Sequence, residues 1–318
     1  MRWSPDSSTA FLRRRVVPDA AGLLGDPAVL ASVGDLDFLA RGIVDGVVSG
    51  LHRSPFHGFS AEFHQYRHYR PGDDLKFVDW KLFARTDRLY TKQYRETTNM
   101  PVCLVVDASA SMGFRGRGAL TKLRYAIVLA AAFSHLLVRQ GDQVALLLGD
   151  GGEGRYLAPR GGRMHQRAVL HALARAEARD TWPAALAVRT ATQRLSRRGV
   201  LIVISDLYDD ETAVLDELTH AAAMGHEIAL FQVMTPDEIE FPITGVHEFD
   251  DLETGARRDV DATLVAARYR ARVTAFLDRV GTTAHAAGLG YSLARTDVAP
   301  ADVLRRFLVR HPGSGRGR

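Results

Sequence analysis

The chain has 318 residues, of which 46% are hydrophobic and 25% charged, and its formal net charge is +4. This composition excludes wholesale disorder, a collagen-like repeat and a disulfide scaffold. A fold of this length buries about three quarters of the unfolded surface and needs no metal merely to form. Lysine occurs only at Lys76, Lys81, Lys92 and Lys122, so arginine supplies the other 37 basic residues. The excess charge lies in arginine-bearing ends, residues 1–34 and 310–318, and the stretch between them has equal numbers of acidic and basic residues. A neutral core gives little reason to expect a nucleic-acid partner.

Residues 1–34 combine Pro, Ser, Asp and Gly with the basic run Arg13–Arg15 and read as a flexible arm. From Asp35 to Ser49 the apolar residues Leu36, Leu39, Ile43, Val47 and Val48 recur at helical spacing. Residues 51–99 are aromatic and charged, without a long period. Beyond Pro101 the pattern becomes regular. Val102–Val106 and Val200–Ile204 are unbroken apolar runs, as in strands covered on both faces. Further strands are expected at Gln143–Leu148, Glu153–Leu157, Glu227–Val233 and Gly290–Arg295. Helices are expected at Thr121–Arg139, Arg163–Ala178, Pro183–Arg197, Glu211–Met224, Asp261–Ala287 and Pro300–Arg310. Val246–Val260 reads as a hairpin turning at Glu253-Thr254-Gly255.

This alternation predicts a doubly wound, mostly parallel α/β sheet with helices on both faces. The chain then divides into an arm (1–34), a segment packed on the sheet (35–100), the sheet domain with its hairpin (101–310) and a disordered tail (311–318). Cys103 is the single cysteine, so no intrachain disulfide forms, and its apolar setting makes it a small buried residue rather than a nucleophile. The first residues lack the apolar core of a signal peptide, and the longest apolar stretch, Tyr125–Val138, is too short to span a bilayer. A cytoplasmic protein is expected.

Open parallel sheets bind ligands just beyond the carboxyl ends of their strands. Two strands end suggestively there. The first leaves Asp107, Ser109 and Ser111 as alternate oxygen groups, and the second places Ser205 and Asp206 at the same edge. Thr181 lies in the short loop before Pro183. These hard oxygens suit Mg²⁺, with Mn²⁺ or Ca²⁺ as substitutes, and not zinc. Aspartate and serine also cap turns and helix starts, which is the plainer use of the same string.

With these residues the chain resembles the von Willebrand factor A-like fold and its metal-ion-dependent adhesion site. That family carries Asp-x-Ser-x-Ser after the first strand, a threonine in a middle loop and an aspartate after the fourth strand. The resemblance implies Asp107, Ser109, Ser111, Thr181 and Asp206 as metal ligands; the glycines that usually precede the threonine are here Arg179 and Asp180. Hydroxyl ligands leave a cation under-neutralised and able to take a partner's carboxylate. Two enzymatic readings fit less well. A haloacid dehalogenase-type phosphatase needs a second acid two residues after Asp107, where Ser109 stands, and a hydrolase elbow needs Gly-x-Ser-x-Gly.

The segment before the sheet contains a Pro71-Gly72-Asp73-Asp74 turn, with Arg67, Arg70, Asp79, Lys81 and Arg85 able to form ion pairs and Trp80 and Phe83 as apolar anchors. Arg67, Tyr69, Pro71, Gly72, Asp73, Asp74, Asp79, Trp80, Lys81, Ala84 and Arg85 resemble the bacterial family called domain of unknown function 58. Phe249–Gly255, Arg268-Tyr269 and Arg295-Thr296-Asp297 also look familial. That resemblance implies a MoxR-type AAA+ ATPase as partner, in chaperone-like maturation or remodelling of a client protein. The implied role is a non-catalytic, metal-dependent adaptor. The alternative is a metal-dependent hydrolase using the same cation, with Asp73 or Asp74 as base. His52, His57, His64 and His68 match no zinc-ligand spacing. The stretch 205–261, which begins beside Asp206, is strongly acidic.

Overall fold

Apolar runs such as Val102–Val106 are stable as strands only where helices cover both sheet faces, and the fold supplies that cover. A computed structural model describes residues 27–48, 60–69, 78–97, 100–150, 154–208 and 211–310. In chain order, α1 (Pro27–Ser32) and α2 (Leu36–Val48) precede an antiparallel pair, β1 (Ser60–His68) and β2 (Tyr90–Thr97), with α3 (Trp80–Thr86) between them. Then come β3 (Pro101–Asp107), α4 (Lys122–Gln140), β4 (Gln143–Gly149), β5 (Arg155–Arg160), α5 (Arg163–Ala174) and α6 (Ala184–Arg194). β6 (Val200–Ser205), α7 (Glu211–Ala223), β7 (Glu227–Met234) and α8 (Pro236–Glu240) follow. The chain closes with a hairpin, β8 (Val246–Asp250) and β9 (Arg257–Asp261), then α9 (Ala262–Ala286), β10 (Gly290–Arg295) and α10 (Pro300–Arg310).

Six strands form the central sheet in the order β10-β7-β6-β3-β4-β5, and β5 alone runs antiparallel to its neighbour. This is the doubly wound α/β arrangement expected from the alternation of strands and helices. The pleat sends alternate residues of β3 to opposite faces. Leu104 and Val106 join Phe133, Phe231 and Phe307 on one face; Cys103 and Val105 join Leu201, Val203 and Val188 on the other. The chain leaves β3 toward β4 on one side, whereas β6 pairs on the other side. The carboxyl ends of β3 and β6 therefore flank the switch point, where such sheets hold ligands.

The helix predicted from Leu36, Leu39, Ile43 and Val47 packs those residues into the first face and is part of the main core. Residues 27–34 are a correction to the expected arm. Leu30 of α1 is fully buried, and the Arg124 guanidinium donates to the carbonyls of Leu30 (3.2 Å) and Val33 (2.6 Å). The remainder of that arm, residues 1–26, and the tail 311–318 lie outside the described residues. The β1–β2 pair was not legible as a period, and α5 and α6 end earlier than their patterns suggest. Among the described residues no helix is long and apolar enough to cross a membrane.

Candidate metal centre

β3 ends at Asp107, and a short 3-10 turn (Ala110–Gly113) follows with Ser109 at its N-cap. Asp107 is buried and both its carboxylate oxygens are engaged. The Ser109 backbone N–H donates to Oδ1 at 2.8 Å, and the Ser205 hydroxyl donates to Oδ2 at 2.6 Å. The Ser109 and Ser111 hydroxyls lie 3.1 Å apart, and Ser111 donates to Asp206 Oδ2 at 2.8 Å. The Tyr208 N–H meets Asp206 Oδ1 at 3.1 Å. Four of the five residues expected to bind metal are thus gathered into one interlocked, buried cluster.

Thr181 belongs to the same edge by backbone rather than by side chain. The Asp180 carbonyl accepts from Ala110 N (2.8 Å), and Arg179 N donates to the Ala108 carbonyl (3.1 Å), which seats the loop on the turn after β3. The Thr181 side chain is exposed, at the rim. Trp182 is buried over Gly149, whose position would put an added Cβ only 2.0 Å from the indole, so only glycine leaves room there. Asp180 and Leu207 both have left-handed φ values, 54° and 59°. Strained non-glycine backbone therefore sits in both loops that bracket the cluster.

Two charged residues of the site escaped sequence reasoning. Lys122, the first residue of α4, is buried, and its Nζ lies 2.6 Å from both Asp206 Oδ2 and Glu238 Oε1. Glu238 is fixed by a capping box, in which its Oε2 accepts from Thr235 N (2.7 Å) and Thr235 Oγ1 (2.9 Å). Thr235-Pro236-Asp237-Glu238 is a helix-start signature that would have located α8 from the sequence. Lys122 had a fainter signal, an isolated lysine in an arginine-rich chain.

Burial pushes the Asp107 carboxyl up to about 6, with the negative charge of Asp206 acting in the same direction; the hydrogen bonds from Ser205 and Ser109 oppose it. Burial works against the Lys122 ammonium, but Asp206 and Glu238 outweigh it and its pKa is raised. Burial, then Asp251 and Glu253 of the hairpin turn, also raise the Tyr208 hydroxyl, so the acidic hairpin tip is near this edge. Burial takes the Cys103 thiol up to about 12 and leaves it inert.

The donor set, two carboxylates and two hydroxyls with no nitrogen or sulfur, fits a hard divalent cation. The fit also holds electrostatically, because Lys122 neutralises only part of the charge of Asp107, Asp206 and Glu238. Among the described residues no group of three or more His, Cys, Asp or Glu side chains is arranged to hold a metal. His68 is exposed, with its ring against Tyr90 at 4.5 Å.

The segment before the sheet is described in part. Arg67 is in β1 opposite Thr91, and Tyr69 N donates to the Leu89 carbonyl at 3.0 Å. Asp79 is buried at the start of α3 and its Oδ1 accepts from Leu82 N at 3.0 Å, a local cap. Lys81, Ala84 and Arg85 lie in that helix, with Ala84 and Arg85 exposed. Trp80, expected as an apolar anchor, is instead 57% exposed and meets Phe83 edge-on at 6.3 Å. Pro71, Gly72, Asp73 and Asp74 lie outside the described residues.

The profile of the family described as protein of unknown function DUF58 matches residues 65–279. The chain belongs to the DUF58 family. Uncharacterised proteins of Mycobacterium tuberculosis and Mycobacterium bovis are 30% identical to it over 302 residues, covering 93% of this chain and 94% of theirs. Solved structures resemble this DUF58 protein distantly. BatB from Bacteroides thetaiotaomicron is 15% identical, with a TM-score of 0.43, over 67% of this chain and 98% of that one. The pilus adhesin SpaC from Lactobacillus rhamnosus GG is 14% identical, with a TM-score of 0.42, over 67% of this chain and 30% of that one. The SpRpn10 VWA domain is 11% identical, with a TM-score of 0.38, over 69% of this chain and 99% of that one. The sheet order of the DUF58 chain, with its single antiparallel strand, is the von Willebrand factor A-like arrangement that the motifs imply.

Proposed function

We propose that this DUF58 protein is a non-catalytic adaptor that binds another protein in a metal-dependent way. Asp107, Ser109, Ser111 and Asp206 would hold Mg²⁺, with Thr181 at the rim and some contacts through water. When bound, such an ion supplies a coordination position open to a carboxylate from a partner. Ser205 and the Ser109 N–H orient Asp107, and the Tyr208 N–H orients Asp206, so the protein contributes a pre-aimed oxygen set. The observation that carries this reading is the buried cluster in which Ser111 joins Asp206 across the sheet switch point.

A docking role fits this chemistry better than hydrolysis. Ser109 occupies the position where a phosphatase would place its acid/base carboxylate, and both oxygens of Asp107 are held by hydrogen bonds. From the family resemblance we assign the energy source to a MoxR-type AAA+ ATPase, acting in the cytoplasm on a client protein. The test is capture of the purified ATPase by the full chain with Mg²⁺ or with EDTA, comparing wild type and Asp107→Ala. Retention is expected only for wild type with Mg²⁺. Equal retention in all four conditions would overturn the adaptor reading.

A further inference from the structure

Lys122 contradicts local rules. It opens α4, where the helix dipole disfavours a cation, and it is only 1% exposed. It is also a lysine in a chain that uses arginine at 37 of its 41 basic positions. A lysine offers here a compact charge on a flexible stem, able to change partners without a planar fork having to match a carboxylate.

Its two partners differ in freedom. Glu238 is held by the Thr235 capping box through Oε2, leaving Oε1 aimed at the ammonium. Asp206 is shared: its Oδ2 accepts both the Ser111 hydroxyl and the Lys122 ammonium. The ammonium therefore sits on the oxygen that faces the other proposed ligands. Three carboxylates, Asp107, Asp206 and Glu238, stand against one ammonium, so two negative charges remain for a divalent ion.

We propose that Lys122 is a tethered cation that competes with a divalent ion for Asp206, and that Glu238 holds the ammonium when Asp206 is released to the ion. The inference rests on the metal-dependent reading of the cluster and adds its regulation. Lys122 sets the concentration at which the ion binds and keeps Asp206 in place without it.

Titration calorimetry of the full chain with Mg²⁺ or Mn²⁺ alone tests this. The informative variant is Lys122→Met with Glu238→Gln, which removes the ammonium and one carboxylate together and so keeps the net charge of the cluster. A pair removed as a unit is also the change that a buried site tolerates best. The double variant is expected to bind the ion about tenfold more tightly than wild type. Glu238→Gln alone is expected to bind it more weakly, since Asp206 is then the sole partner of Lys122. A double variant that binds no more tightly than wild type, while wild type binds and Asp107→Ala does not, overturns the competitor role and leaves the metal reading intact. Absence of binding by both wild type and the double variant overturns the two together.

Discussion

At the carboxyl edge of the sheet, Asp107 and Asp206 reach partners 84 to 98 residues away in the chain. Asp79, in the segment before the sheet, caps its own helix three residues on. The first arrangement exists only when β3, β6 and α4 are all in register. The second combines that one-turn cap with a hydrogen bond from the Asp79 N–H to the Tyr90 carbonyl of β2, and it leaves Trp80 and Arg85 facing solvent. A buried polar cluster built from distant segments ties function to global stability, because each unmet charge inside the fold is costly. The exposed side chains beside that cap, Trp80 and Arg85, are suited to contact and can change with little effect on folding.

The sharpest way to break this contrast is Asp206→Ala. It takes one partner from a buried ion pair and the acceptor from Ser111, and should cost about 3 kcal/mol of unfolding free energy in urea denaturation. A loss below about 1 kcal/mol would mean that the edge cluster is energetically peripheral. Gly149→Ala should come next. Its methyl must displace the Trp182 ring, at about 1–3 kcal/mol for overpacking. Because Trp182 anchors the loop that carries Thr181, Mg²⁺ affinity should weaken with it in calorimetry; unchanged affinity would detach that loop from the proposed metal site. The smallest effect is expected for Trp80→Ala, within about 0.5 kcal/mol in thermal unfolding because the indole is exposed. Capture of the proposed ATPase partner should nevertheless fall, and undiminished capture would remove α3 from the proposed interaction surface.

Much of this was legible in one dimension. The unbroken runs Val102–Val106 and Val200–Ile204 demanded buried strands, and Asp-x-Ser-x-Ser after the first of them located the edge cluster. The reading of Cys103 as a buried residue needed only its neighbours, and the buried thiol agrees. Other features were hidden for identifiable reasons. β1 and β2 pair with each other in a two-stranded sheet, outside the six-stranded one, and left no apolar alternation to read. Trp80 was expected inside because indoles usually are, but a residue next to a helix cap can point outward at no cost to the cap. Residues 27–34 were grouped with the arm because residues 1–34 as a whole are rich in Pro, Ser, Asp and Gly, but their own run is mostly apolar, and Arg124 ties the Leu30 and Val33 carbonyls to α4.

The sequence by itself determined a doubly wound α/β sheet, a balanced core between arginine-bearing ends, and the aspartates and serines that meet at the switch point. These follow from short-range patterns: apolar runs, turn residues and the spacing of serines and aspartates along one strand end. Only the tertiary structure decided which charges meet there. Lys122 and Glu238 lie 116 residues apart and share no motif, and they are joined because α4 and α8 converge on the end of β6. Long-range electrostatics depends on where folded elements bring their termini, and no local period records that. The fold, not the formal +4, places one buried ammonium among three carboxylates.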